Sequence, residues 1–306
     1  MPYSLFDLVL DAHSYVGTAT FGVSSAGGTT LLNDRTQSSA HSDDQFNGGQ
    51  LFFIESSNTG IQQQYRRIAD YDASSGEFRF TTALSSAVTV GTKYAVATPE
   101  FDVTLMERLA NDAIRTVGPL VYSARLMVSS ANQRVYTFST LTASSQGAGT
   151  FGKYSRPFQV DIQGRTGSSA DDPQWVTLHG WHIEPSTAGR GAQIVFPRYL
   201  PANRDVRVMF EDHHKTLTAS TDLIDERLHP ELVTLALVDK MYQYRNSRSR
   251  GASEFDLQRW NDAKRSLSEA RIRYPIYRVK RKPNILVIGG DQEDAGVQAP
   301  PLGGVE

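Results

Sequence analysis

The chain of 306 residues contains no cysteine. It can therefore form neither a disulfide framework nor a thiolate zinc site, and thiol catalysis is excluded. Apolar runs are also short, and none approaches the roughly 20 residues that a membrane-spanning helix needs. The first 15 residues contain Asp7 and Asp11 but no lysine or arginine, so the basic start of a signal peptide is missing. We expect a soluble protein of the cytoplasm, or of a particle assembled there, with no membrane partner.

Recognisable catalytic motifs are missing as well. The sequence has no Gly-x-Ser-x-Gly nucleophile turn and no phosphate loop with a Lys-Ser or Lys-Thr pair. Paired acids such as those in "HSDD" and "SADDP" stand in contexts that favour turns. The sequence therefore predicts a protein that is not an enzyme and that has no cofactor.

Histidines are few, and one grouped set contains His179, His182, His213 and His214. Glu211 or Asp212 could complete a metal site if neighbouring strands brought these side chains together. Each histidine pair, however, has an odd separation, and successive side chains of a strand point to opposite faces. We therefore expect no metal site.

The order of apolar patterns predicts an α+β fold. Small β modules of barrel or sandwich type are joined by a long helix, and a C-terminal helix hairpin or bundle and an extended tail follow. Six regions are predicted: a helix (1–15), a small all-β module (16–97), a connecting helix (98–119), a second β-rich domain (120–220), a helical hairpin (221–275), and an extended arm with a flexible acidic tail (276–306).

Helix ends are marked by capping residues. Ser4 followed by Asp7 resembles a capping arrangement for the first helix. For the connecting helix, the predicted cap is Thr98, the predicted first helical residue is Pro99, and Gly118 marks the predicted end.

The C-terminal region has the spacing of two packed helices. Pro230 suits a helix start, and the stripe that follows contains Leu232, Leu235, Val238 and Tyr242. A second stripe at steps of three and four residues contains Trp260, Ala263, Leu267, Ala270 and Tyr274. We expect the two stripes to pack together, with "RNSRSRG" as an exposed connection at the tip.

The chain as a whole has a net charge of only -2, but positive charge is concentrated in one segment. Thirteen lysines and arginines and only four acids lie between Lys240 and Lys282, so the rest of the chain carries a net charge of -11. Such a block can contact a polyanion, form a solvated helix face, or dock onto an acidic protein partner. The residues that we expect to face a partner or DNA are Arg245, Arg248, Arg250, Lys280, Arg281 and Lys282.

Two parts of the sequence resemble virion proteins of tailed bacteriophages. The segments "DQFNGG" (Asp44 to Gly49) and "IADYDASSG" (Ile68 to Gly76) are similar to turns of a β module that is common in those proteins. The segment from Tyr199 to Gln243, in which a β domain leads through "HPEL" into helices, resembles phage neck or head-to-tail adaptor proteins.

This resemblance implies a structural role without catalytic residues. A head-to-tail connector would form a ring of about 12 copies below the portal, contact the portal and tail or neck proteins, and line the channel through which DNA passes. The expected location is the virion. Many neck adaptors are smaller and mostly helical, so the module at 16–97 leaves a tail-tube, tail-terminator or decoration role open.

A receptor- or carbohydrate-binding virion protein is a further alternative. The aromatic side chains that could stack on sugar rings are Phe151, Tyr154, Trp175 and Trp181. The even separation of the two tryptophans predicts one shared strand face, which also fits two core residues.

Overall fold

The structure is a computed structural model that describes residues 2–38, 40–127, 133–137, 142–143, 156–164, 174–185, 192–202, 204–248 and 254–276. The segments around Phe151 and Tyr154, Arg250, and the predicted arm and tail after residue 276 lie outside these ranges. The helices are α1 (Leu5–Val16), α2 (Val103–Val117), α3 (Pro230–Arg248) and α4 (Glu254–Arg273).

The predicted α+β class is confirmed, with antiparallel pairing in every sheet. The strands are β1 (Ala19–Val23), β2 (Ala26–Gly27), β3 (Leu31–Asn33), β4 (Gln50–Glu55), β5 (Gln64–Asp72), β6 (Glu77–Phe80), β7 (Lys93–Ala97), β8 (Leu120–Met127), β9 (Val135–Thr137), β10 (Thr142–Ala143), β11 (Arg156–Gln163), β12 (Trp175–Thr177), β13 (His182–Pro185), β14 (Ala192–Val195) and β15 (Asp205–Asp212).

The described strands form three sheets, in the orders β1-β7-β4-β5-β6-β3-β2, β10-β8-β15-β11-β12 and β13-β14-β9. Within the described ranges each sheet is open, so none of the expected barrels closes.

The capping arrangement predicted for α1 is confirmed. Ser4 Oγ accepts a hydrogen bond from the Asp7 backbone N–H at 3.2 Å, and the Asp7 carboxylate accepts one from the Ser4 N–H at 3.0 Å. Two of the N–H groups that a helix start leaves without helical partners are thereby satisfied.

The predicted start of the connecting helix is wrong by about one turn. The N-cap of α2 is Asp102, whose Oδ1 accepts the Leu105 N–H at 2.9 Å. Thr98 cannot serve as the cap, because its backbone continues the pairing of β7 and donates to Thr18 O at 3.3 Å. The predicted end at Gly118 is confirmed.

Two hydrophobic cores share the strands β4 and β7. Leu51 and Phe53 of β4 point into the core of the first β module, whereas Phe52 between them points toward the helices. On β7, Tyr94 points into the core of the first β module, and Ala95 points toward the helices. Because alternate side chains face opposite sides of a strand, both faces of this sheet are buried there.

Helix α3 is the centre of the larger core. It packs against α1, α2 and α4, and apolar residues are therefore buried around most of its circumference. The second β domain contributes to the same core through β15, where Val206, Val208 and Phe210 alternate with more exposed residues. Among the described residues, helix α4 packs mainly against α3, and its buried residues are Ala263, Leu267 and Ala270.

Candidate interaction surface on the C-terminal helix hairpin

The helix hairpin, α3 with α4, is joined along the predicted seam. Ala263, Leu267 and Ala270 are buried, and Trp260 and Tyr274 pack against the same core, so the predicted stripe is confirmed.

Polar contacts fix both ends of the seam. Trp260 Nε1 donates to Asp239 Oδ1 at 2.8 Å, and Tyr274 Oη donates to Glu231 Oε2 at 2.9 Å. The Tyr274 ring also stacks on the His229 imidazole, with centroids 3.6 Å apart. These contacts orient α4 on α3, and thereby determine which of its side chains face outward.

Arg245 does not lie in a loop, because α3 continues to Arg248. Its guanidinium binds Glu100 through two hydrogen bonds, Nε to Oε1 at 2.6 Å and Nη2 to Oε2 at 2.5 Å, and Asp256 Oδ1 lies 3.6 Å from Nη1. Its side chain is only 19% exposed. The hydrogen bonds to Glu100 raise the pKa of Arg245 above its ordinary value.

The structure therefore gives Arg245 an internal role. It connects the segment before α2 to both helices of the hairpin, and its charge is compensated within the chain. Glu100 stands 145 positions away in the sequence, so no local pattern indicated this pair.

The other predicted cations divide into two groups. Arg248 is exposed in the last turn of α3, and its guanidinium lies over the Tyr244 ring at 5.3 Å. Arg250, Lys280, Arg281 and Lys282 lie outside the described residues.

Aromatic and cationic side chains four residues apart recur on the hairpin. In addition to Tyr244 and Arg248, Arg259 lies over Phe255 at 4.3 Å, and Lys264 Nζ lies 3.4 Å from the Trp260 ring centre. Residues four apart on a helix are neighbours, and such contacts hold a cation along the helix surface. Sequence spacing alone could have found these pairs.

We define the outer face of α4 as its exposed residues, which include apolar, basic and acidic side chains. Ile272 is 82% exposed, Phe255 60% and Leu257 41%. Its basic members are Arg259, Lys264, Arg265, Arg271 and Arg273, its acidic members include Glu254, Asp262 and Glu269, and Arg265 pairs with Glu269 at 3.2 Å.

A groove of about 530 Å³ lies between α1 and α4, with α3 as its floor. Its lining includes Asp11 and Tyr15 of α1, Glu231 and Leu235 of α3, and Ser266 of α4. Asp11 Oδ2 accepts a hydrogen bond from Tyr3 Oη at 2.8 Å, and the same Tyr3 hydroxyl lies 2.8 Å from Thr234 Oγ1. Desolvation and the nearby Asp7 raise the pKa of Asp11, although the Tyr3 hydrogen bond opposes them.

The histidines considered as metal ligands form hydrogen bonds within the chain or lie apart from one another. His214 is buried, with Nδ1 2.8 Å from Lys215 O, and its Nε2 accepts the Asp225 N–H at 3.0 Å. Exposed His182 pairs with Glu184 at 2.8 Å. Across the described residues, no group of three or more histidines and carboxylates is placed to hold a metal ion.

The prediction that Trp175 and Trp181 share one strand face is wrong. Trp175 belongs to β12 of the five-stranded sheet, which ends at Thr177. Trp181 directly precedes β13, which belongs to the three-stranded sheet, so the two tryptophans are not on one strand. The Arg207 guanidinium lies over the Trp175 ring at 4.6 Å, and Trp181 packs against the main core.

The turns that carry the phage resemblance pair with each other in the first β module. The Gly48 N–H donates to Ile68 O, and the Ile68 N–H donates to Gly49 O, each at 2.9 Å. Between these turns the Phe46 and Tyr71 rings meet edge to face at 5.1 Å. The motif residues therefore build the fold of this module.

No protein-family model matches the chain, and no curated protein matches it. None of the helices in the described ranges has the length and apolar character needed to cross a lipid bilayer. The functional assignment therefore depends on the residue patterns and on the surfaces described above.

Proposed function

We propose that the protein is a head-to-tail connector of a tailed phage, a structural virion component whose copies form a ring below the portal. The resemblance of the turns in the first β module and of the segment from Tyr199 to Gln243 supports this proposal. The observation that carries it is the outer face of α4. The role is structural, and the portal and the tail or neck proteins are the further partners.

The outer face of α4 shares one feature with protein interfaces, because aromatic residues and arginine are enriched there. Phe255 and Ile272 are both more than half exposed, on a helix that the Trp260 and Tyr274 contacts hold in place. The partner we infer for this face is a second copy of the chain.

Charge is consistent with contact between copies. Nine lysines and arginines and four acids lie between Lys240 and Arg273, a net charge of +5, whereas the remainder of the chain carries a net charge of -7. A head-to-tail contact places different surfaces of two copies against each other, so a basic face can meet an acidic one and the ring can close.

The test is the assembly state of the full chain, measured by light scattering and by electron microscopy of negatively stained particles. We expect rings, alone or after addition of portal protein. Ile272→Asp should weaken assembly, because it replaces the most exposed apolar side chain of the outer face with a charge. Val90→Asp is the matched control, since Val90 is also an exposed apolar residue, 73% exposed, but lies in the first β module.

A chain that remains monomeric with and without portal protein would refute the proposal, as would equal effects of the two substitutions. A salt titration of binding to duplex DNA separates the two uses of the basic residues. Phosphate contacts make the affinity fall steeply with salt, whereas a protein partner alone leaves no DNA binding even at low salt.

A further inference from the structure

The described chain ends beside the groove between α1 and α4. Arg273 Nη1 lies 3.2 Å from Glu231 Oε1, and Tyr274 Oη donates to Glu231 Oε2, so the end of α4 is held against a groove residue. Ile276, the last described residue, packs against the main core. The remaining 30 residues of the chain therefore begin at one end of the groove.

The groove combines acidic and apolar groups. Asp11 forms no ion pair among the described residues, and Tyr3 supplies a neutral hydrogen-bond donor to it. Tyr15 is 50% exposed although its neighbour in the groove, Leu235, belongs to the core. The groove is thus suited to a segment that carries both cations and apolar side chains.

The sequence directly after Ile276 has this composition. We define the C-terminal arm as residues 277–288, "YRVKRKPNILVI". Its first half contains Arg278, Lys280, Arg281 and Lys282, and it ends with the apolar run Ile285, Leu286, Val287 and Ile288.

We propose that the C-terminal arm occupies the groove of its own chain. Its cations compensate Asp11, and its apolar residues cover Tyr15 and Leu235. An extended segment of 12 residues reaches about 40 Å, longer than the ~28 Å of the 19-residue helix α3 that forms the floor. The short tether from α4 favours the same chain, because it gives the arm a high effective concentration at the groove. This inference does not require the proposed ring.

Cross-linking tests the inference cleanly, since the chain has no native cysteine. The full chain with Ser266→Cys and Asn284→Cys is treated with a short bismaleimide. Ser266 lines the groove, whereas Ser268 is exposed on a different side of α4, so Ser268→Cys with Asn284→Cys is the control. The tethers differ by only two residues, and an undocked arm would reach both positions at similar rates.

We expect the intrachain product at position 266 to form about tenfold faster than at 268, and Asp11→Asn to slow it by about fivefold. Circular dichroism of each variant verifies that the fold is retained. Equal rates at the two positions would overturn the inference. A cross-linked dimer at position 266, in place of the intrachain product, would also overturn it and would assign the groove to the arm of a second copy.

Discussion

His13 provides a direct test of the packing between α1 and the first β module. Its side chain is fully buried at the end of α1, with ring centroids 5.7 Å from Phe52 and 6.1 Å from Phe101. Nδ1 lies 2.8 Å from Thr18 Oγ1, and Nε2 has no hydrogen-bond partner among the described residues. Burial lowers the pKa of His13 from its ordinary 6.5 to about 4.

This shift makes the free energy of unfolding depend on pH. Because the folded state holds His13 neutral while the unfolded chain binds a proton near pH 6.5, stability falls as the pH decreases from about 6.5 toward 4. The expected loss from this residue is ~2 kcal/mol between pH 7.5 and pH 5, and ~3 kcal/mol once the pH is below 4.

The perturbation is His13→Leu, which keeps an apolar side chain of similar size and removes the titrating group. Urea unfolding at pH 7.5, 6 and 5 should show a pH dependence that is ~2 kcal/mol smaller than in the unaltered protein. His213→Leu, at an exposed histidine, is the control. An unchanged pH dependence in the His13 variant would refute the buried, neutral assignment.

Two further predictions concern structural contacts. Arg245→Met should lower the free energy of unfolding by about 1–3 kcal/mol, because it removes the ion pair with Glu100. A double-mutant cycle with Glu100→Gln, measured by urea unfolding, should show that the two substitutions are energetically coupled. Additive effects of the two substitutions would contradict the paired geometry. Gly76→Ala should cost roughly 2–5 kcal/mol, because a Cβ there would lie 2.2 Å from Asp34 O at a φ of +66°. Gly91→Ala, at a φ of +84° in open space, should cost only about 1 kcal/mol in the same thermal or urea unfolding measurements.

Local features of the sequence were predicted well where neighbours in the chain decide them. The Ser4 and Asp7 cap and the Trp260 to Tyr274 stripe involve residues three to four positions apart, and helical geometry alone brings such residues together. The start of α2 was predicted about one turn too early, because Thr98 followed by Pro99 is typical of a helix start. The pairing of Thr98 with Thr18 after β7 keeps that segment extended, and the helix begins after Asp102.

The candidate surface was predicted only in part. The basic character of the hairpin follows from composition, but the structure distinguishes Arg245, which is paired internally, from Arg248, which is exposed. Glu100 and Asp256 could not be assigned to Arg245 from spacing, because the fold brings them together from separate segments.

The sequence by itself determined the α+β class, the absence of thiol chemistry and the concentration of positive charge near the end of the chain, because composition and short-range periodicity carry that information. Only the tertiary structure decided which faces are buried. Strands β4 and β7 face two cores, α3 is enclosed by three helices, and α4 is left with an exposed outer face and a groove beside it. These outcomes depend on contacts between residues far apart in the chain, and local patterns do not encode such contacts.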